Sequence, residues 1–156
     1  MTYKEQLQHI VTEYREANEP WPATAHEMAE WAIAQGKWHP QRGAMIRKCA
    51  EELSDAMREE YITDPQGRRV RTKHVARFGE GQSQIPLWGD IRTATRQHME
   101  VAFQQRRQQI FGDCKQLKSD VDSYNDNYNR ADPIQMIFNF TEDLAESELL
   151  RLVKSA

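Results

Sequence analysis

The stretch Tyr61-Ile62-Thr63-Asp64-Pro65-Gln66-Gly67-Arg68-Arg69-Val70-Arg71 decides how this 156-residue chain is organised. Asp first, Pro second and Gly fourth is the chemistry of a type I turn closed by a left-handed glycine. Beyond the turn, side chains alternate in type as far as Phe78. Val70, Thr72, Ala76 and Phe78 share one face; Arg69, Arg71, Lys73 and Arg77 share the other. A two-stranded hairpin is therefore predicted over 61–78.

Three helices are expected before it. Tyr3, Leu7, Ile10, Val11 and Tyr14 form one stripe on a helix from Tyr3 to Asn18, ended by Glu19-Pro20-Trp21-Pro22. Thr24 and Glu27 have capping-box spacing, and Gly36 suits a C-terminal cap, giving a second helix over 24–35. After the turn Lys37-Trp38-His39-Pro40, a third helix is expected from Gln41 to Glu60. Met45, Ile46, Cys49, Leu53, Ala56 and Met57 make its inner side.

Downstream, Gly79-Glu80-Gly81-Gln82-Ser83-Gln84 has linker composition, so a boundary is expected over 79–87. A long helix follows, from about Asp90 to Tyr124 or Tyr128. Its Phe103, Ile110, Cys114, Leu117, Val121, Tyr124 and Tyr128 are spaced as a heptad seam, with Arg107 at one position where an apolar residue is expected. Asn125 to Asn129 should end it. Pro133 to Phe140 is expected to be a short strand or extended segment, and Thr141-Glu142-Asp143 starts a last helix carrying Leu144, Leu149, Leu150 and Val153.

Helix, helix, helix, hairpin is the element order of the winged helix-turn-helix superfamily, which residues 3–78 resemble. Thr24 to Ala32 matches its supporting helix, Gln41 to Glu60 its third helix and Tyr61 to Phe78 its wing. The sequence departs from that pattern in lacking a clear strand between the first two helices. The expected fold is mostly α: a winged helix-turn-helix domain over 1–78 with a small β-hairpin wing, a linker over 79–87, and a helical arm over 88–156 made of a long helix and a short C-terminal one. The resemblance implies duplex DNA binding through the third helix and the wing.

Charge is distributed consistently with that implication. The formal net charge is −3, but the blocks 1–36, 37–77, 78–112 and 113–156 carry −4, +4, +1 and −4. On the third helix, Gln41, Arg47 and Lys48 point away from the apolar side, and Arg42 lies closer to it. Glu51, Glu52, Asp55 and Glu59 make the outward C-terminal half acidic, so only the N-terminal half suits a groove. In the wing, Arg68, Arg69, Arg71, Lys73 and Arg77 are the expected phosphate contacts. A solvated edge strand protected from aggregation is the competing explanation of those cations.

The seam Phe103, Ile110, Cys114, Leu117, Val121 and Tyr124 is expected to be a homodimer interface, since the last helix is too short to cover a helix of roughly 50 Å. Intramolecular cover by that last helix is the alternative. The expected protein is thus a non-catalytic DNA-binding regulator or accessory factor, and the runner-up is a protein-protein interaction module using the winged fold as scaffold. His26-Glu27-Met28-Ala29-Glu30 lacks the second histidine of HExxH, and the acids Asp120, Asp122, Asp126 and Asp132 lack EF-hand spacing, so no metal or other cofactor is expected. Phosphate-loop motifs and nucleophile-base sets are likewise missing from the sequence. Cys49 and Cys114, far apart on apolar stripes, suggest reduced thiols; without a signal-like or membrane-spanning run, a cytoplasmic location is expected.

Overall fold

The computed structural model describes residues 1–155. Contacts divide the chain into two units, Met1–Glu51 and Glu52–Ala156. The chain is mostly helical, with two small antiparallel two-stranded sheets among the described residues. No helix of the described residues is long and apolar enough to cross a membrane.

The first unit contains α1 (Tyr3–Glu16), α2 (Ala25–Ala34) and the start of α3 (Ala44–Arg58). The expected capping box opens α2: the Thr24 N–H donates to Glu27 Oε2 at 2.7 Å, and the Glu27 N–H donates to Thr24 Oγ1 at 3.1 Å. Tyr14 is buried against the edge of Trp31, with ring centroids 5.5 Å apart, and its hydroxyl donates to the Pro20 carbonyl. The connector after α2 is held to α1 by Lys37–Glu13 at 3.1 Å and by the Trp38 indole N–H on the Tyr3 hydroxyl at 2.9 Å.

Two features of α3 differ from expectation. It begins at Ala44, because Gly43 has φ +71°, a left-handed turn that a right-handed helix cannot contain. Gln41 and Arg42 therefore precede the helix. Its apolar stripe is also uncovered: Met45 is 86% exposed, Ile46 78% and Leu53 58%, and Cys49 is exposed beside them.

The second unit takes in the end of α3 and then the expected hairpin, β1 (Tyr61–Thr63) paired to β2 (Arg69–Arg71) with Ile62 opposite Val70. Gly67 closes the turn at φ +83°, its N–H donating to the Asp64 carbonyl at 2.9 Å. Past Arg71 the structure departs from a single two-stranded wing. The Thr72 N–H donates to the Glu60 carbonyl, extending the first ladder, while the Thr72 carbonyl accepts from Ile91 N–H, extending a second. The alternation continues through Thr72, but the pairing partner changes there. β3 (Lys73–Phe78) pairs with β4 (Ile85–Asp90), placing Val75 opposite Trp88. Residues 79–87, expected as a linker, are thus the connection of a second hairpin and the first half of a strand. Ile85, Leu87 and Trp88 supply β character that the neighbouring glycines and glutamines masked.

α4 (Arg96–Asn127) starts at Thr95, whose hydroxyl accepts from the His98 N–H. Its first turns pack on β3. Ala102 is buried, Phe103 meets the His74 ring edge-on at 5.4 Å, and the His98 Nε2–H donates to the His74 carbonyl at 2.9 Å. Gly89 lets His98 lie this close, because a Cβ there would stand 2.7 Å from Nε2. Beyond α4, Asn125 exchanges two hydrogen bonds with the Ile134 backbone, tying the extended 133–140 segment back to the helix. No strand forms in that segment, and α5 (Thr141–Ser155) follows with Leu144, Leu149, Leu150 and Val153 exposed.

Candidate nucleic-acid interface

Strand alternation places the wing cations on one side of the chain, but their surroundings separate them into two groups. Asp64 organises the hairpin tip: Oδ1 accepts the N–H groups of Gln66 and Arg68, and Oδ2 takes Arg68 Nε at 2.8 Å. The Arg68 backbone N–H, helped by its guanidinium, holds the Asp64 carboxyl below its usual range. Arg68 therefore builds the turn as well as charging it. Arg69 lies over the Tyr61 ring at 4.2 Å, a cation–π contact that stiffens a long side chain at an exposed position.

Arg71, Lys73 and Arg77 instead line a cleft of about 300 Å³ bounded by β3, β4 and α4. Arg58, from the last turn of α3, and Arg106, from α4, join them, and Asp113 is the one carboxylate of the lining. Lys73 is engaged by Glu60 at 3.0 Å and Asp90 at 3.4 Å, and these acids hold its ammonium above the usual lysine range. Arg92 also pairs with Asp90, at 2.8 Å. Arg58 pairs with Asp55 and stands 5.7 Å from the Trp88 ring centre.

The remaining three arginines are different. Among the described residues, no ion pair is made by Arg71, Arg77 or Arg106. Burial first, and then the neighbouring Arg71 guanidinium, push Arg106 below the usual arginine range. The two guanidinium groups thus repel each other and neither is ion-paired, an arrangement that an anion relieves. The Arg77 backbone is fixed at both of its polar groups by the Gln105 amide: the Arg77 N–H donates to Oε1 and Nε2–H donates to the Arg77 carbonyl, both at 2.7 Å. That amide clamp covers part of the free edge of β3 while the guanidinium stays exposed.

His74 lies on the opposite, inward face. Its Nε2–H donates to the Arg71 carbonyl at 2.8 Å, and burial pushes its pKa below the usual histidine value, with Arg106, Arg71 and His98 adding in the same direction. A neutral His74 avoids adding another cation behind the cleft.

On the other unit, Gln41, Arg42, Arg47 and Lys48 are all exposed at or before the start of α3. Glu27 and Glu30, within the HExxH-like string, are occupied locally: Glu27 closes the α2 cap and Glu30 meets His26 at 3.1 Å. Sequence reasoning missed Arg58, Arg106, Trp88 and Gln105. The available signal was the β character of Ile85 to Trp88, which would have brought Trp88 beside β3; nothing local marks Arg58 or Arg106. No protein-family model matches the chain, nor does any curated protein or solved structure.

Proposed function

We propose that this protein binds nucleic acid, with duplex phosphates met at two places: the start of α3, through Gln41, Arg42, Arg47 and Lys48, and the tip of the β1–β2 hairpin, through Arg68 and Arg69. The observation that carries the reading is the exposed hairpin tip, where Arg69 is braced on Tyr61 and Arg68 is fixed by its turn. Braced cations lose less conformational freedom on meeting a phosphate than free ones. Arg71, Lys73 and Arg77 belong to the cleft and contribute to the field rather than to the tip contact. The order of α1, α2, α3 and β1–β2 supports a winged-helix variant whose wing strand continues into a second hairpin. The role is that of a regulator or accessory factor.

Fluorescence anisotropy with a labelled mixed-sequence duplex tests the two contacts separately. Replacing Arg68 and Arg69 by Ala should weaken binding about tenfold or more, and replacing Arg42 and Arg47 should do likewise. Unchanged affinity in both double variants overturns the proposal.

A second reading, protein assembly, is favoured by the apolar surface left open on α4. Ile110 is 53% exposed and Leu117 43%, and Tyr124 is exposed two turns further. Phe103, expected in the same interface, sets one edge on His74 and is still 49% exposed, and the seam continues through Ile110, Cys114, Leu117 and Val121 to Tyr124, with Cys114 and Val121 half-buried. Its 4-3-4-3 spacing fits a second copy of the same helix. In a parallel pair, Asp113 on one flank faces Lys118 on the opposite flank of the second copy, and the charges attract.

A further inference from the structure

The cleft between β3, β4 and α4 has a shape and chemistry that duplex binding does not use. A concave space of about 300 Å³ lies at the small end of the range for ligand sites, and it admits one nucleotide unit rather than two paired strands. Its charged wall is built from three directions: Arg71 and Arg77 from the strands, Arg106 from α4 and Arg58 from α3. Guanidinium groups offer paired N–H donors that match carboxylate and phosphate oxygens alike, and a cluster of three favours the anion with more charge and more acceptor oxygens, a phosphate. Trp88 supplies a flat apolar wall beside the cations, opposite Val75 in the β3–β4 register.

We propose that this cleft binds a nucleotide-sized phosphate ester, with the phosphate held by Arg71, Arg77 and Arg106 and the ring of the ligand laid against Trp88. Arg58, at 5.7 Å from the same indole and tied to Asp55, braces the aromatic wall. Gln105 acts as a positioning residue: by holding both the N–H and the carbonyl of Arg77 it fixes where that side chain leaves the strand beside the cleft. The ligand is a free nucleoside phosphate or the phosphorylated end of a single strand, which present the same phosphate and base. This inference goes beyond duplex binding and does not depend on it, because Arg106 and Trp88 take no part in the hairpin-tip contact.

Isothermal titration of the full chain with adenosine 5′-monophosphate, inorganic pyrophosphate and a short single strand, with or without a 5′-phosphate, tests it. The intact protein should bind the nucleotide and pyrophosphate, and Arg106→Ala should weaken both about 10- to 100-fold. Arg106→Lys should recover part of that loss, whereas Arg96→Ala, at a position 91% exposed on α4, should change nothing. Trp88→Ala should weaken nucleotide binding while sparing pyrophosphate, which a general loss of structure would not do. A phosphorylated strand binding more tightly than the nucleotide identifies a strand end as the ligand; equal or weaker binding identifies the free nucleotide. Absence of binding by both the nucleotide and pyrophosphate overturns the proposal, as does binding indifferent to Arg106→Ala or equal losses of both ligands in Trp88→Ala. Duplex affinity separates this inference from the previous one: it should survive Arg106→Ala and fall in Arg69→Ala.

Discussion

The first turns of α4 and its remaining length are one continuous helix, yet they have opposite fates. Near its start, Ala102 is buried, Phe103 meets His74, and His98 and Gln105 bond the β3 backbone. Further along, Ile110, Leu117 and Tyr124, at the same helical spacing, stay exposed, while Cys114 and Val121 between them are half-buried. A stripe records the need for cover, and only a neighbour of matching shape records who provides it. The strand junction and β3 offer alternating small and polar inward residues, Thr72 and then His74 and Ala76, that α4 can approach closely. α5, which brings its own exposed leucines, leaves the distal seam open.

The contrast is most sharply broken by charging the open half. Leu117→Asp should leave the chain folded but raise the dissociation constant of the proposed dimer about 100-fold or more, since a buried carboxylate has no partner there. Mass in solution reads the result, and a monomeric parent protein would sink the second-copy reading. With Cys49→Ser in place, mild oxidation should also join two copies through Cys114, which faces its own equivalent in a parallel pair.

On the packed half, Gly89→Ala should cost about 1–3 kcal/mol in chemical denaturation, because the new methyl displaces the His98 ring from its bond to the His74 carbonyl. No loss would mean that His98 contributes little to the packing of α4 on β3.

His74 makes the same half sensitive to pH. Its folded pKa lies below the ordinary value near 6.5, so the unfolded chain takes up the proton first as pH falls. Stability should therefore decline from about pH 7 downward and level off below the folded pKa; the decline should flatten in His74→Gln. The lowered carboxyl of Asp90, held chiefly by Arg92, adds a separate loss only below about pH 4. A profile flat between about pH 7 and pH 5 contradicts the assignment to His74.

The smallest effect concerns Thr72, fully buried where the strand changes partners, with a side-chain oxygen that has no hydrogen-bond partner. Thr72→Val should stabilise the fold by about 1 kcal/mol, because it removes an unpaired buried hydroxyl and keeps the β-branched shape. Destabilisation would show that the hydroxyl has a partner in solution.

Much of the local structure was legible because its chemistry is local. Thr24 with Glu27 specified a helix start, and Asp64 with Gly67 specified a turn. The alternation from Val70 to Phe78 placed the cations on one face. What the sequence left open depends on distant partners: Thr72 divides a uniformly alternating strand because Glu60 and Ile91 claim its two backbone groups. Arg106 joins Arg71 only through the packing of α4 on β3. For the same reason, the apolar spacing of Met45, Ile46 and Leu53 predicted burial that the chain by itself does not provide.

The most direct test of the central claim is the salt dependence of duplex binding by the intact protein. Log affinity should fall with log salt at a slope of roughly −2 or steeper, and Arg69→Ala should make that slope shallower by about one phosphate contact. No binding at low salt, or a slope near zero that Arg69→Ala leaves unchanged, would contradict it.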